Sequence, residues 1–145
     1  MPIRWYLFAV ANYIFLITYI FFFLGALRFT AEVLPADVSL GFFGLFIISL
    51  AITVFNSAFN LYVFHGYMPA RILSRKMKTS YIVSTILFTA SLIIVTISLL
   101  QAMSEAEAEF KDFLNWVIVL NTAIGTFILL HQFMVRKFLE KNYRH

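Results

Sequence analysis

Four long stretches of this chain carry no charged residue, and they constrain its fold more than any other feature. A helix needs about 20 apolar residues to cross a hydrocarbon core about 30 Å thick, and each stretch is at least that long. The sequence therefore predicts an all-α integral membrane protein, a four-helix bundle with up-and-down connections. The stretches are Trp5 to Leu27, Val38 to Ala70, Thr79 to Ser104 and Phe113 to Val135.

Composition predicts a single membrane domain over residues 1–145, with helices at about 5–27, 40–65, 79–101 and 113–135. Hydrophobic residues make up 62% of the chain and charged residues 12%, whereas a soluble domain carries about 25% charge. Cysteine is absent, which excludes disulfides, thiol redox chemistry and thiolate metal sites. At the end of the third stretch, Ser104 is followed by Glu105, Glu107 and Glu109. This pattern predicts a helix N-cap with acids in the first turn, either of the fourth helix or of a short outer helix.

The charges are sorted by the side of the predicted membrane on which they fall. All basic residues except Arg28 and Lys111 share the side of the two termini, and all acidic residues except Glu140 fall on the opposite side. Basic residues in short loops mark the cytoplasmic face, so both termini are predicted to be cytoplasmic. For a bacterial chain this means the inner (cytoplasmic) membrane. The net charge of +4 follows from this topology and predicts no nucleic-acid partner.

Several basic residues lie directly beside the predicted spans on the side of the termini. Each is expected to attract anionic lipid headgroups at the cytoplasmic face, at about 1 kcal/mol per charge. They are Arg71, Arg75, Lys76, Lys78, Arg136 and Lys137.

The spans contain no Asp, Glu, Lys or Arg, which argues against a proton-coupled transporter or a voltage sensor. Neutral polar side chains do occur there, and an amide in lipid needs a hydrogen-bond partner. We interpret them as interhelical contacts, worth about 0.6–2 kcal/mol each; the alternative is a polar path through the membrane. The candidates are Asn12, Asn56, Asn60, Asn121 and Gln132, together with Ser84, Ser91 and Ser98, which recur at every seventh position.

Two segments of the chain are similar to each other. Val54 to Asn60 reads VFNSAFN, and Val119 to Gly125 reads VLNTAIG. Each segment follows an acidic connection and precedes a histidine and a basic segment. The pattern predicts a possible parallel duplication of a helical hairpin, and the alternative is chance agreement between apolar helices.

His65 and His131 lie near the same side of the predicted membrane, on the second and fourth helices. Two imidazoles on neighbouring helices can ligate haem b in a membrane cytochrome. The alternative is a pair of interfacial histidines without a ligand. We expect no cofactor and no metal, because both residues lie close to the interface and no carboxylate accompanies them on their side except Glu140.

These observations predict a non-catalytic membrane subunit rather than an enzyme. It would pack through its helix faces as a scaffold or accessory component of a larger membrane complex, or as a homo-oligomer. Its partners would be membrane lipids and other membrane-protein subunits or copies of itself. Two alternatives stay open: an oligomeric channel or passive carrier with a neutral path lined by Asn and Ser, and a b-type cytochrome subunit.

Overall fold

A computed structural model describes residues 3–33, 40–66 and 75–143, and these residues form four α-helices. All four helices are long and apolar enough to span a membrane, so the all-helical prediction is confirmed. The helices are α1 (Ile3–Val33), α2 (Leu40–Gly66), α3 (Arg75–Glu105) and α4 (Ala108–Tyr143).

The helices extend beyond the predicted spans into charged sequence. α1 includes Arg28, α3 begins at Arg75, and α4 continues through Lys137 to Tyr143. Lys, Arg and Glu have high helix propensity, so a helix does not have to end where the apolar stretch ends. Apolar length therefore locates the span, while the helix bounds depend on the flanking polar residues.

The predicted N-cap at Ser104 is wrong. Ser104 lies in the last turn of α3, and its hydroxyl donates to the carbonyl of Gln101 at 2.7 Å. The chain turns at residues 106–107, and α4 begins at Ala108 with Glu109 in its first turn. A serine hydroxyl can instead donate a hydrogen bond to a carbonyl one turn earlier in the same helix, and Ser104 does so here.

Each helix runs antiparallel to its neighbours around the bundle. Along α2, Thr53 contacts Ser91 and the later Asn56 contacts the earlier Ser84 of α3. Along α4, Asn121 contacts Thr96 and the later Gly125 lies beside the earlier Leu92 of α3. Asn12 of α1 bonds Asn60 of α2. The ring of Trp5 in α1 lies against that of His131 in α4, which closes the circle. The first turns of α1 and the last turns of α4 therefore lie at the same end of the bundle.

The outside of the bundle is largely apolar, whereas much of its interior is polar. Large side chains such as Phe21, Phe55 and Trp116 are exposed on the outer surface. In lipid an apolar exterior is not penalised, and helices associate through close packing and hydrogen bonds instead. The polar interior is therefore the part of the fold that most needs a structural explanation.

Candidate functional site

A cluster of buried polar side chains lies in the interior of the bundle and draws on all four helices. We call it the polar core, and each of its side chains is buried. Its members are Asn12 of α1, Asn56 and Asn60 of α2, Ser84 of α3 and Gln132 of α4.

Asn56 is the hub of the polar core. Its side-chain oxygen accepts a hydrogen bond from the Ser84 hydroxyl at 2.7 Å and another from the Gln132 amide at 2.9 Å. One carbonyl oxygen has two lone pairs, so these two donors occupy it fully. Asn56 thus links three helices through a single atom.

Asn12 and Asn60 join the first two helices. The Asn60 amide nitrogen donates to the side-chain oxygen of Asn12 at 2.9 Å. The Asn12 amide nitrogen in turn donates to the backbone carbonyl of Phe8 at 2.8 Å, one turn earlier in α1. This second bond fixes the orientation of the Asn12 amide, so that its oxygen faces α2.

The polar core, together with nearby Ser57 and Tyr81, contains donors and acceptors that no described residue satisfies. The unpaired atoms include the Asn56 amide nitrogen, the Asn60 and Gln132 amide oxygens, and the hydroxyls of Ser57 and Tyr81. Both donors and acceptors are represented. The core is therefore not saturated by its own side chains, although its main interhelical bonds are short.

The three predicted serines of α3 have different environments. Ser84 belongs to the polar core, and Ser91 lies 3.0 Å from the Thr53 hydroxyl of α2. Ser98 is half-buried and donates to the carbonyl of Ile94 within its own helix. The seven-residue repeat therefore contributes interhelical contacts at its first two positions, and a contact within α3 at the third.

Asn121 lies apart from the polar core, in a groove between α3 and α4 that we call the hydroxyl groove. Its amide nitrogen donates to the Thr96 hydroxyl at 3.4 Å, and its oxygen has no partner among the described residues. The hydroxyl groove has a volume of about 340 Å³. Its polar lining consists of Thr89, Thr96, Asn121, Thr122 and Thr126.

The two histidines have separate surroundings. His65 is exposed, and its Nε2 lies 2.8 Å from the Tyr13 hydroxyl. His131 is half-buried, and its Nδ1 donates to the carbonyl of Phe127 at 2.9 Å. The rings of Trp5 and Phe8 also pack against His131. Each imidazole thus has its own neighbours in the described part of the chain.

The predicted headgroup residues are described only in part. Lys76, Lys78 and Lys137 are exposed, and Arg136 is half-buried. The cationic groups of Arg136 and Lys137 lie 5.1 and 4.7 Å from the ring centre of Phe133. Arg71 lies outside the described residues, and the side chain of Arg75 does as well.

Sequence reasoning missed three features of these sites. It did not anticipate the Tyr13–His65 pair, the aromatic packing around His131, or the threonines of the hydroxyl groove. Thr122 and Thr126 are one helical turn apart, and that spacing was the available signal. Comparison with family models, curated proteins and solved structures finds no match to the chain.

Proposed function

We propose that this protein is a non-catalytic integral membrane subunit that binds a partner helix in the hydroxyl groove. The partner helix belongs to another subunit of a membrane complex or to a second copy of this chain. In this proposal both termini are cytoplasmic, and the exposed Lys76, Lys78 and Lys137 attract anionic lipid headgroups.

One observation carries the proposal: the hydroxyl groove offers hydrogen-bonding groups on the outer surface of two apolar spans. Thr89, Thr122 and Thr126 are exposed there. The Thr89 hydroxyl donates to the carbonyl of Thr85, but a hydroxyl oxygen can still accept a bond.

A helix satisfies these groups better than lipid does. Acyl chains have no hydrogen-bonding atoms, so polar groups that face them are unpaired. Threonine is small enough to let a second helix approach closely, and Ser, Thr, Asn or Gln on that helix can then bond across the interface. The groove runs from Thr89 to Thr96 on α3, which is about two helical turns.

The polar core supports the same proposal, because it assigns most of the intramembrane amides to folding within one chain. Asn60 bonds Asn12, and Gln132 bonds Asn56, in each case across two helices. We therefore interpret them as interhelical contacts that stabilise a packed subunit. The association surface lies elsewhere, on the outside of α3 and α4.

Native mass spectrometry of the protein, extracted gently from its own membrane, tests this proposal. We expect a mass that includes either a second copy or another polypeptide. The double variant Thr122→Val/Thr126→Val should shift the assembly toward single chains by about tenfold, because it removes two hydroxyls at nearly constant volume.

Thr85→Val is the matched control. Thr85 is half-buried on α3, and its hydroxyl donates to the carbonyl of Tyr81 rather than lining the groove. This variant should keep the wild-type mass distribution. A wild-type protein that is extracted only as single chains would contradict the proposal, and so would equal losses of assembly in the two variants.

A neutral channel is the second candidate, because of the unpaired atoms around the polar core. Donors and acceptors that protein does not satisfy could bond solutes or water in a path through the membrane. Flux through reconstituted vesicles separates the two candidates. Asn56→Leu should abolish flux and leave the assembly intact if the core is a path, and should lower stability if the core is packing.

A further inference from the structure

An open groove on the outer surface of α1 and α2 contains the Tyr13–His65 pair. We call it the tyrosine–histidine groove, and it lies across the bundle from the hydroxyl groove, which α3 and α4 form. Its volume is about 510 Å³, within the range of sites that bind small molecules and cofactors. Its lining includes Tyr13 and Leu16 from α1, and Ala58, Leu61, Tyr62 and His65 from α2.

The polar side chains of this groove are exposed on the surface that faces the membrane. Tyr13 is 44% exposed, and His65 is exposed as well. The Tyr13 hydroxyl lies 2.8 Å from Nε2 of His65, so one of the two groups donates to the other. No charged residue is among the described residues that line the groove. The pair is thus a hydrogen-bonding group on a largely apolar surface.

The hydrogen-bonding capacity of the neutral pair does not depend on the tautomer of the imidazole. If Nε2 accepts from the Tyr13 hydroxyl, the Nδ1–H of His65 remains as a donor and the Tyr13 oxygen as an acceptor. If Nε2–H donates to the Tyr13 oxygen, the Tyr13 O–H remains as a donor and Nδ1 as an acceptor. In both cases the pair offers one donor and one acceptor to a ligand.

The position of the pair limits the chemistry of what binds there. Tyr13 lies inside the candidate span Ile3–Arg28, and His65 is next to the last residue of the span Phe43–Gly66. A charged group is penalised in the hydrocarbon region, so the ligand is neutral. A lipid ester can only accept a hydrogen bond and would use the donor alone. A quinone carbonyl accepts and the hydroxyl of the corresponding quinol also donates, so these two forms together use both groups.

The walls of the groove favour a flat ring. The ring centres of Tyr13 and His65 are 6.2 Å apart, with a tilt of 54°, and the ring of Tyr62 also lines the groove. Aromatic rings attract one another in offset-stacked and edge-on arrangements. A cavity of about 150 Å³ already holds benzene, so a groove of this volume has room for a substituted ring. An alkyl tail on that ring can stay in the surrounding hydrocarbon, because the groove is open on its outer side.

We propose that the tyrosine–histidine groove binds the ring of a neutral, membrane-soluble 1,4-benzoquinone and of its quinol. The quinone carbonyl accepts a hydrogen bond from the donor of the Tyr13–His65 pair, and the quinol hydroxyl donates one to the acceptor. The ligand enters laterally from the membrane past Ala58 and Tyr62, which are exposed. Binding here is independent of a partner helix in the hydroxyl groove, because that groove is formed by the other two helices.

Carbon-13 NMR tests this inference with methyl-labelled tetramethyl-1,4-benzoquinone and its quinol, each titrated into the full chain in lipid nanodiscs. The reference ligand is hexamethylbenzene, which has methyl groups in place of the oxygens and nearly the same shape. Binding of each is measured relative to empty nanodiscs. We expect saturable binding of the quinone and of the quinol, each at least fivefold tighter than hexamethylbenzene, since one net hydrogen bond corresponds to about that factor.

The double variant Tyr13→Phe/His65→Phe removes the donor and the acceptor and keeps both rings. It should weaken the quinone and the quinol about fivefold and leave hexamethylbenzene unchanged. Tyr6→Phe is the matched control, because Tyr6 is also exposed on α1 but is not part of the groove lining. It should change none of the ligands. Ala58→Phe fills the groove and should abolish binding of all three. Because Ala58 is exposed, the larger side chain should leave the helical circular dichroism unchanged.

The nitrogen-15 NMR signals of the imidazoles in histidine-labelled protein locate the bound ring. Saturation with the quinone should shift the signals of His65 and leave those of His131 unchanged. His131 packs against α1 from α4 and is not part of the groove lining.

Four results would overturn the inference. The first is the absence of saturable binding of the quinone or of the quinol. The second is equal affinity for these ligands and for hexamethylbenzene, which would make the groove a purely apolar surface. The third is an equal effect of Tyr13→Phe/His65→Phe and Tyr6→Phe, and the fourth is a shift of His131 in place of His65. Either of the last two would place the ligand elsewhere on the bundle.

Discussion

The two halves of the bundle are packed differently. The basic half contains the first turns of α1 and α3 and the last turns of α2 and α4, and the acidic half contains the opposite ends. In the basic half, buried side chains continue out to Trp5, Phe64, Tyr81 and Val135. In the acidic half, among the described side chains, burial extends no further than Tyr19, Ser49, Val95 and Asn121.

The distribution of hydrogen bonds follows the same division. The polar core lies toward the basic half, where its bonds measure 2.7–2.9 Å. Toward the acidic half, the interhelical Asn121–Thr96 bond is longer, at 3.4 Å. Buried polar atoms without a partner among the described residues occur in both halves. Because helices in lipid associate through packing and hydrogen bonds, the basic half should hold the fold together. The acidic half, which is less tightly packed, has surfaces available to partners.

The largest expected effect is the loss of an aromatic anchor in the basic half. Trp5 is 1% exposed and packs on Phe138, with ring centres 5.9 Å apart. Trp5→Ala should lower the free energy of unfolding by about 3 kcal/mol, because it leaves a large cavity. Trp116→Ala is the control in the acidic half, where that side chain is 66% exposed.

Unfolding of both tryptophan variants can be followed by circular dichroism during titration of SDS into mixed micelles. We expect Trp116→Ala to stay within about 0.5 kcal/mol of the wild type. Equal losses in the two variants would mean that the halves do not differ in their contribution to stability. The inference that the basic half holds the fold together would then be wrong.

A smaller effect is expected from the hub of the polar core. Asn56→Leu removes the acceptor for Ser84 and Gln132 and leaves two buried donors unpaired. The free energy of unfolding should fall by about 2 kcal/mol, at the upper end of what two intramembrane hydrogen bonds contribute. Asn115→Leu, at an exposed position of α4, is the control and should be nearly neutral in the same titration.

Much of this architecture follows from sequence reasoning, and the missing parts have physical causes. An amide inside a span needs a partner, so the inward placement of Asn56 and Asn60 could be predicted from polarity alone. Sequence alone could not predict that Ser84 and Gln132 both bond the same oxygen of Asn56. That arrangement depends on the register and rotation of the helices. Those are set by packing of the whole bundle rather than by any local pattern.

The histidines show the same limit. On an ideal helix, His131 lies about 80° from the face that Asn121 and Gln132 share. If that face points into the bundle, sequence reasoning predicts that His131 points away from the core. It nevertheless packs on Trp5 and Phe8, because α1 also covers that flank of α4. A helix in a four-helix bundle packs against a neighbour on each of two sides. An argument from one helix face therefore predicts the contacts on one side only.

The smallest expected effect comes from alanine at Gly125, which tests how far the close packing of α3 against α4 extends toward the acidic half. A Cβ atom at Gly125 would lie 2.9 Å from Cδ1 of Leu92, whereas one at Gly25 would meet nothing within 4 Å. Alanine should gain about 1 kcal/mol over glycine inside a helix at either position. Gly25→Ala should show this full gain, and Gly125→Ala should show about half of it or less, because the end of the Leu92 side chain must move.

The double variant Leu92→Ala/Gly125→Ala separates the two contributions to that result. Compared with Leu92→Ala alone, adding Gly125→Ala should recover the full gain of about 1 kcal/mol, since the obstructing methyl groups are gone. The measurement is a double-mutant cycle in the same SDS titration. Equal gains at Gly25 and Gly125 in the wild-type background would show that α3 and α4 are already apart at Leu92. The boundary between the tightly packed basic half and the looser acidic half would then lie closer to the polar core. Leu92, which lines the hydroxyl groove, would also not form a fixed wall against which a partner helix could pack.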